Sequence, residues 1–221
     1  ELAARCIHNK SDRKDERFVV ANCARLASER VDAELFGSES LQSHRRVVGL
    51  FEQAHKGTLY FDEICDLPLE TQGKIVRAVN EQRFRRVGGN TEVMVDVRVI
   101  SASSCDLAAE ISAGRLREDL YYRLGVVPLA MPPLVQRRED IPLLAKHFTA
   151  LVAKRLGVLP FKLSDEVLAA MQCYGWPGNV RQIHNVIETM LILAPTDRNE
   201  PIDLDLLPAE IHNVVRSGDE S

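Results

Sequence analysis

Gly57-Thr58-Leu59-Tyr60-Phe61-Asp62-Glu63 is the stretch on which the fold turns. Four residues with large or β-branched side chains, opened by a glycine and closed by two carboxylates, read as a short buried strand. A strand that ends in Asp-Glu sets both acids at the carboxyl edge of a sheet, where open α/β sheets bind ligands. One chemical reading has Asp62 holding Mg²⁺ through its water shell while Glu63 polarises an attacking water. The other has ordinary turn chemistry, since acidic residues often follow a strand. This stretch alone does not separate the two.

Working outward, a helix is expected from about Pro68 to Asn80, with Leu69, Gln72, Ile75, Val76 and Val79 along one side. Phe84 to Val87 and Val93 to Val95 flank Gly88-Gly89-Asn90 as a hairpin would. Val97 to Ala102 and Val126 to Leu129 read as further strands, and so does Phe18 to Ala21 upstream. Before the central strand, a helix capped by Ser28 should end near Gly37, and the polar run from Asn9 to Arg17 reads as a solvated loop. Strands alternating with helices indicate an α/β fold with a mainly parallel sheet. After Met131-Pro132-Pro133 only helices are expected, over Ile141 to Leu156, Ser164 to Cys173 and Asn179 to Leu193. The expected division is an α/β core over 1–135, a small helical domain over 136–212 and a frayed tail over 213–221. The chain opens in a helical pattern, Leu2 to Ile7, with no cap before it, as a sequence cut from a longer one would.

Composition narrows the function. Of 221 residues, 28 are Lys or Arg and 32 Asp or Glu, and a net charge of −4 does not suit a stand-alone nucleic-acid binder. Aromatics make up 5%, too few for a base-stacking platform. Cys6, Cys23, Cys65, Cys105 and Cys173 lie at least 17 residues apart and have no metal-ligand or redox-motif spacing. Idle thiols in a reducing cytoplasm are the simpler reading. No apolar run approaches the ~20 residues of a membrane span, and the expectation is a soluble, cytoplasmic protein.

The central stretch, followed by Asp66-Leu67-Pro68, closely resembles the Walker-B region of bacterial enhancer-binding proteins, AAA+ ATPases that act on sigma-54 RNA polymerase. Similar stretches follow the family's order: Val20-Ala21-Asn22-Cys23-Ala24, Glu34-Leu35-Phe36-Gly37, Arg86-Val87-Gly88-Gly89 and Asp96 to Ile100. Arg117 to Leu124, Arg137 to Pro142 and Trp176-Pro177-Gly178-Asn179-Val180-Arg181 continue it. The resemblance covers nearly the whole chain. It implies a P-loop NTPase-like (AAA+) parallel sheet with a small C-terminal helical lid, and ATP and Mg²⁺ as cofactors. It assigns Asp62 to the metal and nucleotide, Glu63 to water activation, and Asn22 to a switch that hydrogen-bonds the glutamate. Arg117 and Arg123 match arginine fingers that act on a neighbouring subunit's nucleotide, and Arg181 matches a second sensor arginine. Local pairing of Arg117 with Glu118 or Asp119 is the competing reading of that position. The run before Arg181 also resembles a turn into a DNA-reading helix, but the family places it in the ATPase.

Three departures matter. Ser103-Ser104-Cys105 stands where relatives usually have Thr-Asn-Arg, so Ser104 takes the first sensor position with a shorter reach. No G-x-x-x-x-G-K-[ST] phosphate loop is present; Leu2 to His8 resembles the helix that follows it, so the loop and its strand would lie before Glu1. Finally, Ser38 to Val48 lacks the GAFTGA tip that grips sigma-54, as in NtrX-type response regulators. A receiver domain before the chain, a DNA-binding domain after it and a homo-oligomeric ring are implied, without sigma-54 remodelling in the relatives' manner. The rival is a nucleotide-insensitive oligomerisation module that keeps the fold.

Overall fold

A computed structural model of the chain describes residues 1–26, 29–40, 46–194 and 201–218. Contacts divide it into two units, Glu1–Pro128 and Leu129–Ser221.

In the first unit, α1 (Leu2–Asn9) leads to β1 (Phe18–Asn22), then a 3-10 turn and α2 (Val31–Phe36). β2 (Ser38–Glu39) and β3 (Arg46–Val47) form a short antiparallel ladder, and α3 (Leu50–Gln53) returns the chain to β4 (Thr58–Asp62). There follow α4 (Leu69–Glu81), the antiparallel hairpin β5 (Arg83–Arg85) and β6 (Glu92–Met94), β7 (Arg98–Ser101), α5 (Leu107–Ser112) and α6 (Glu118–Leu124). The main sheet has the order β1-β4-β7, all parallel. β4 is central and buried from Thr58 to Phe61, which is why it reads as a continuous apolar run.

The amino edge of the sheet is fixed by polar contacts from the opening segment. His8 and Thr58, both buried, share a 2.9 Å hydrogen bond between Nδ1 and Oγ1. Arg13 donates to the Gly57 and Asp96 carbonyls, each at 3.1 Å, and to the Asp96 carboxylate at 2.6 Å. The polar run from Asn9 to Arg17 is therefore tied down by Arg13 rather than merely solvated. Gly57 is required at its turn, because a Cβ there would overlap the Arg17 carbonyl.

One face of the sheet packs on an aromatic cluster. Phe36 and Phe51 stack with centroids 5.3 Å apart, and Phe61 and Phe84 tilt against Phe51, each at 5.9 Å. Each buried Phe contributes roughly 1.5–3 kcal/mol through area alone. Gln72 of α4 is fully buried, yet it is satisfied: its amide donates to the Leu67 and Arg115 carbonyls and accepts from the Arg117 amide.

Two further expectations fail in this unit. Val126 to Leu129 is not a strand; Val126 and Val127 are 73% and 75% exposed, and Pro128 removes a ladder donor. The helix ending near Gly37 starts from Arg30 as its N-cap, and Ser28 lies outside the described residues. At the base of the segment Ser38 to Val48, β2 and β3 pair; residues 41–45 lie outside the described residues.

The second unit contains α7 (Ile141–Leu156), α8 (Asp165–Cys173), α9 (Asn179–Leu193) and α10 (Ala209–Gly218). Gly157 ends α7 in the left-handed region at φ 68°, and Ser164 caps α8 by accepting from the Val167 amide. Here one feature escaped the helical reading: Leu163 and Ile202 form an isolated parallel bridge. Trp176 anchors the core, 1% exposed, with its indole N–H donating to the Met171 carbonyl at 2.6 Å.

Candidate nucleotide-hydrolysis site

The carboxyl ends of β1, β4 and β7 bring Asn22, Asp62, Glu63 and Ser104 to one edge. Register alone places Asn22 opposite Asp62 and Phe61 opposite Ser101. The ladder continues past the strand ends, with the Ala102 amide donating to Phe61 and the Ile64 amide donating to Ala102.

Glu63 is held in an uncommon backbone state, with φ 57° and ψ 59°. For a residue with a Cβ this costs roughly 1–2 kcal/mol. Its carboxylate oxygen Oε2 accepts two hydrogen bonds from Ser104, from the backbone N–H at 2.9 Å and from Oγ at 3.0 Å. Ser104 thus occupies the glutamate directly, a pairing across 41 positions that no local pattern signals. Among the described residues no hydrogen bond joins Asn22 to Glu63.

Asp62 is oriented by a residue that motif reading passed over. The Tyr60 hydroxyl donates to Asp62 Oδ1 at 2.9 Å. The strand period of two, which puts residues 60 and 62 on one face, was the available signal. Tyr60 is buried and stacks on Phe18 at 6.0 Å. Burial first, then its bond to Asp62, push the Tyr60 hydroxyl well above the usual phenol range. The other Asp62 oxygen accepts no hydrogen bond from a described residue. That leaves one oriented carboxylate oxygen at the sheet edge, which fits Mg²⁺, a cation commonly held by one or two carboxylates together with phosphate oxygens and water.

The edge is negative enough to affect its thiols. Burial, followed by the charges of Asp66 and Asp62, pushes the Cys23 thiol up to about 12. The Cys65 thiol is also raised, mainly by burial.

The arginines are placed differently. Arg117 stands at the N-cap position of α6 and forms a two-pronged pair with Asp119, at 2.9 and 2.8 Å. Arg123, on α6, donates to the Val79 carbonyl at the end of α4 at 3.2 Å. Both are exposed, and neither touches Asp62 or Glu63 among the described residues. Arg181 is exposed in the first turn of α9, within the second unit. The turn before it is structural: Asn179 Oδ1 accepts from the Leu134 amide at 2.6 Å.

A family model for the sigma-54 interaction domain matches residues 1–130, and one for the AAA+ ATPase lid domain matches residues 135–221. The chain belongs to the sigma-54 interaction domain family. This AAA+ domain is 46% identical over 97% of its length to the nitrogen assimilation regulatory protein NtrX of Azorhizobium caulinodans, covering 47% of that protein. Crystal structures of NtrX from Brucella abortus superpose with TM-scores of 0.88 for the complex with ADP and 0.87 for the complex with ATP, both at 44% identity. They cover 96% and 99% of this chain, and 47% and 51% of theirs. The chain spans about half the length of the curated relatives it matches. The fold is thus α/β, of the AAA+ type, with a helical lid. No helix among the described residues is long and apolar enough to cross a membrane.

Proposed function

We propose that this chain is the central ATPase domain of an NtrX-like two-component transcriptional regulator, which couples ATP binding and hydrolysis to ring assembly and transcription control. The observation that carries this reading is the Asp62–Glu63 pair at the sheet edge, one acid oriented by Tyr60 and the other held by Ser104. NtrX structures with ADP and ATP support nucleotide as the ligand.

In this reading the free oxygen of Asp62 would hold Mg²⁺, which would supply neutralisation of phosphate charge when bound. Glu63 takes the proton of the attacking water. Its two bonds to Ser104 must loosen for that, because an oxygen already accepting two donors is a weaker base. Asn22, on the neighbouring strand, is the alternative donor that receives the glutamate in another state. Arg117 and Arg123 leave Asp119 and the Val79 carbonyl to reach a neighbouring copy, and Arg181 acts from the lid. The phosphate cradle is supplied by residues outside these 221. A receiver domain and a DNA-binding domain complete the regulator, and DNA contact belongs to the latter.

Measurement on the complete regulator decides the matter. Glu63→Gln is expected to abolish ATP hydrolysis while nucleotide binding survives; retained turnover would overturn the role. Loss from Arg123→Ala should be restored by mixing with Glu63→Gln subunits if the finger acts between copies.

A second reading, a ring-forming module without turnover, is favoured by Ser104 in place of a longer amide. In either reading the segment Ser38 to Val48 has eleven residues and no Phe, and sigma-54 is not remodelled. A stable complex of the full regulator with sigma-54 and a transition-state nucleotide analogue would contradict that.

A further inference from the structure

Three of the five cysteines, Cys23, Cys65 and Cys105, sit one or two residues beyond Asn22, Glu63 and Ser104. Cys23 is buried, Cys65 half-buried and Cys105 exposed. A single hydroxyl separates the last two: Ser103 Oγ lies 3.3 Å from the Cys65 sulfur and accepts from the Cys105 backbone N–H at 3.1 Å. Cys65 and Cys105 are 40 residues apart in sequence, and the parallel pairing of β4 with β7 brings the Cys65 sulfur and the Cys105 backbone N–H to the same Ser103 hydroxyl.

We propose that Cys105 and Cys65 form a modification site, a dithiol oxidised by hydroperoxides to an intramolecular disulfide. Cys105 is the first reactant because it is exposed. Its thiolate attacks one peroxide oxygen; the S–O bond forms, the O–O bond breaks, and hydroxide leaves to give a sulfenic acid. The Cys65 thiol gives up its proton as its sulfur attacks the Cys105 sulfur. The S–S bond forms, the S–O bond breaks, and the departing hydroxide is protonated to water. Two thiols lose two electrons and two protons, and one hydrogen peroxide becomes two waters. Cys65 suits the second role, since burial holds its thiol above the usual range and disfavours direct oxidation.

The disulfide requires Cα atoms within about 7 Å of each other, and making it turns the Cys65 sulfur away from the Ser103 hydroxyl that it now contacts. Ser104 lies inside the segment that moves. Its N–H and Oγ both hold Glu63, so oxidation at residue 105 shifts the partner of the glutamate one residue away. The site itself stands apart from the ATPase reading, because its formation needs no nucleotide.

The test uses the 221-residue chain with Cys6→Ser and Cys173→Ser, which removes the other exposed thiols. After treatment with hydrogen peroxide the intact mass, taken before alkylation, should be lower by about 2 Da, and alkylation with a non-reducing peptide map then locates the link. One peptide pair should join Cys65 to Cys105 and separate again with dithiothreitol. Cys105→Ser should abolish the link, and Cys65→Ser should leave Cys105 to proceed to the sulfinic acid. The proposal is overturned if Cys105 reaches the sulfinic acid while Cys65 stays a free thiol, if the link joins Cys23 instead, or if only intermolecular disulfides form.

Discussion

The two units use polar side chains for different ends. In the helical unit the Trp176 indole and the Asn179 amide bond backbone atoms, Met171 O and Leu134 N, and these contacts build the corner before α9. At the sheet edge of the α/β unit polar side chains also bond one another: Tyr60 to Asp62, Ser103 to Cys65, and the Ser104 hydroxyl, beside its own backbone N–H, to Glu63. A side chain bonded to the backbone is as fixed as the backbone. One bonded to another rotatable side chain can exchange partners at small cost. The first arrangement serves stability, and the second serves a site that must change.

The contrast can be broken most severely at its stable end. Trp176→Ala should cost about 3–5 kcal/mol of the second unit's stability, read by chemical denaturation with a probe in that unit. If the loss fell below about 1 kcal/mol, Trp176 would not be the anchor described. Gln72→Leu comes next: it keeps the apolar volume but leaves the Leu67 and Arg115 carbonyls and the Arg117 amide without their partner. Roughly 1–3 kcal/mol for each buried group left unsatisfied should appear as a lowered Tm, with faster hydrogen exchange at Arg117.

At the changeable end the effects are smaller and bear on function. Ser104→Ala removes one of two donors to Glu63, so folding stability should change by no more than about 1 kcal/mol. Hydrolysis by the complete regulator should rise a few-fold if the serine restrains the glutamate, and an unchanged rate would assign it no restraint. The mildest test is alkaline titration. Cys23 has a folded value of about 12 against an ordinary 9.0. An acid raised by folding contributes stability that is complete below 9 and declines as pH rises through the folded value. Stability should therefore fall between about pH 9 and 12, and Cys23→Ala should flatten that decline.

Much of this was legible because the informative residues carry local signals. An apolar run closed by Asp62-Glu63 announces a buried parallel strand, and Ser164 and Gly157 mark helix ends by chemistry that acts within one turn. What was not legible is long-range. The hold of Ser104 on Glu63 exists because β4 and β7 are neighbours, and the Leu163–Ile202 bridge likewise joins distant residues. Val126 to Leu129 misled because apolar, β-branched residues were taken for burial, while in the fold they face solvent.

Arg86 is 6% exposed and is flanked by Glu52 and Glu39, while Arg46 approaches Glu52 at 2.9 Å. The Val87 amide and carbonyl bond Gly37 and Glu39 beside it. These contacts close the base of the segment between β2 and β3 without reference to what lies at its tip. Because closure entropy rises by only about 0.6 kcal/mol for each doubling of loop length, the base behaves as a socket. Tips of different length and chemistry can be exchanged on it while the AAA+ scaffold beneath is left intact.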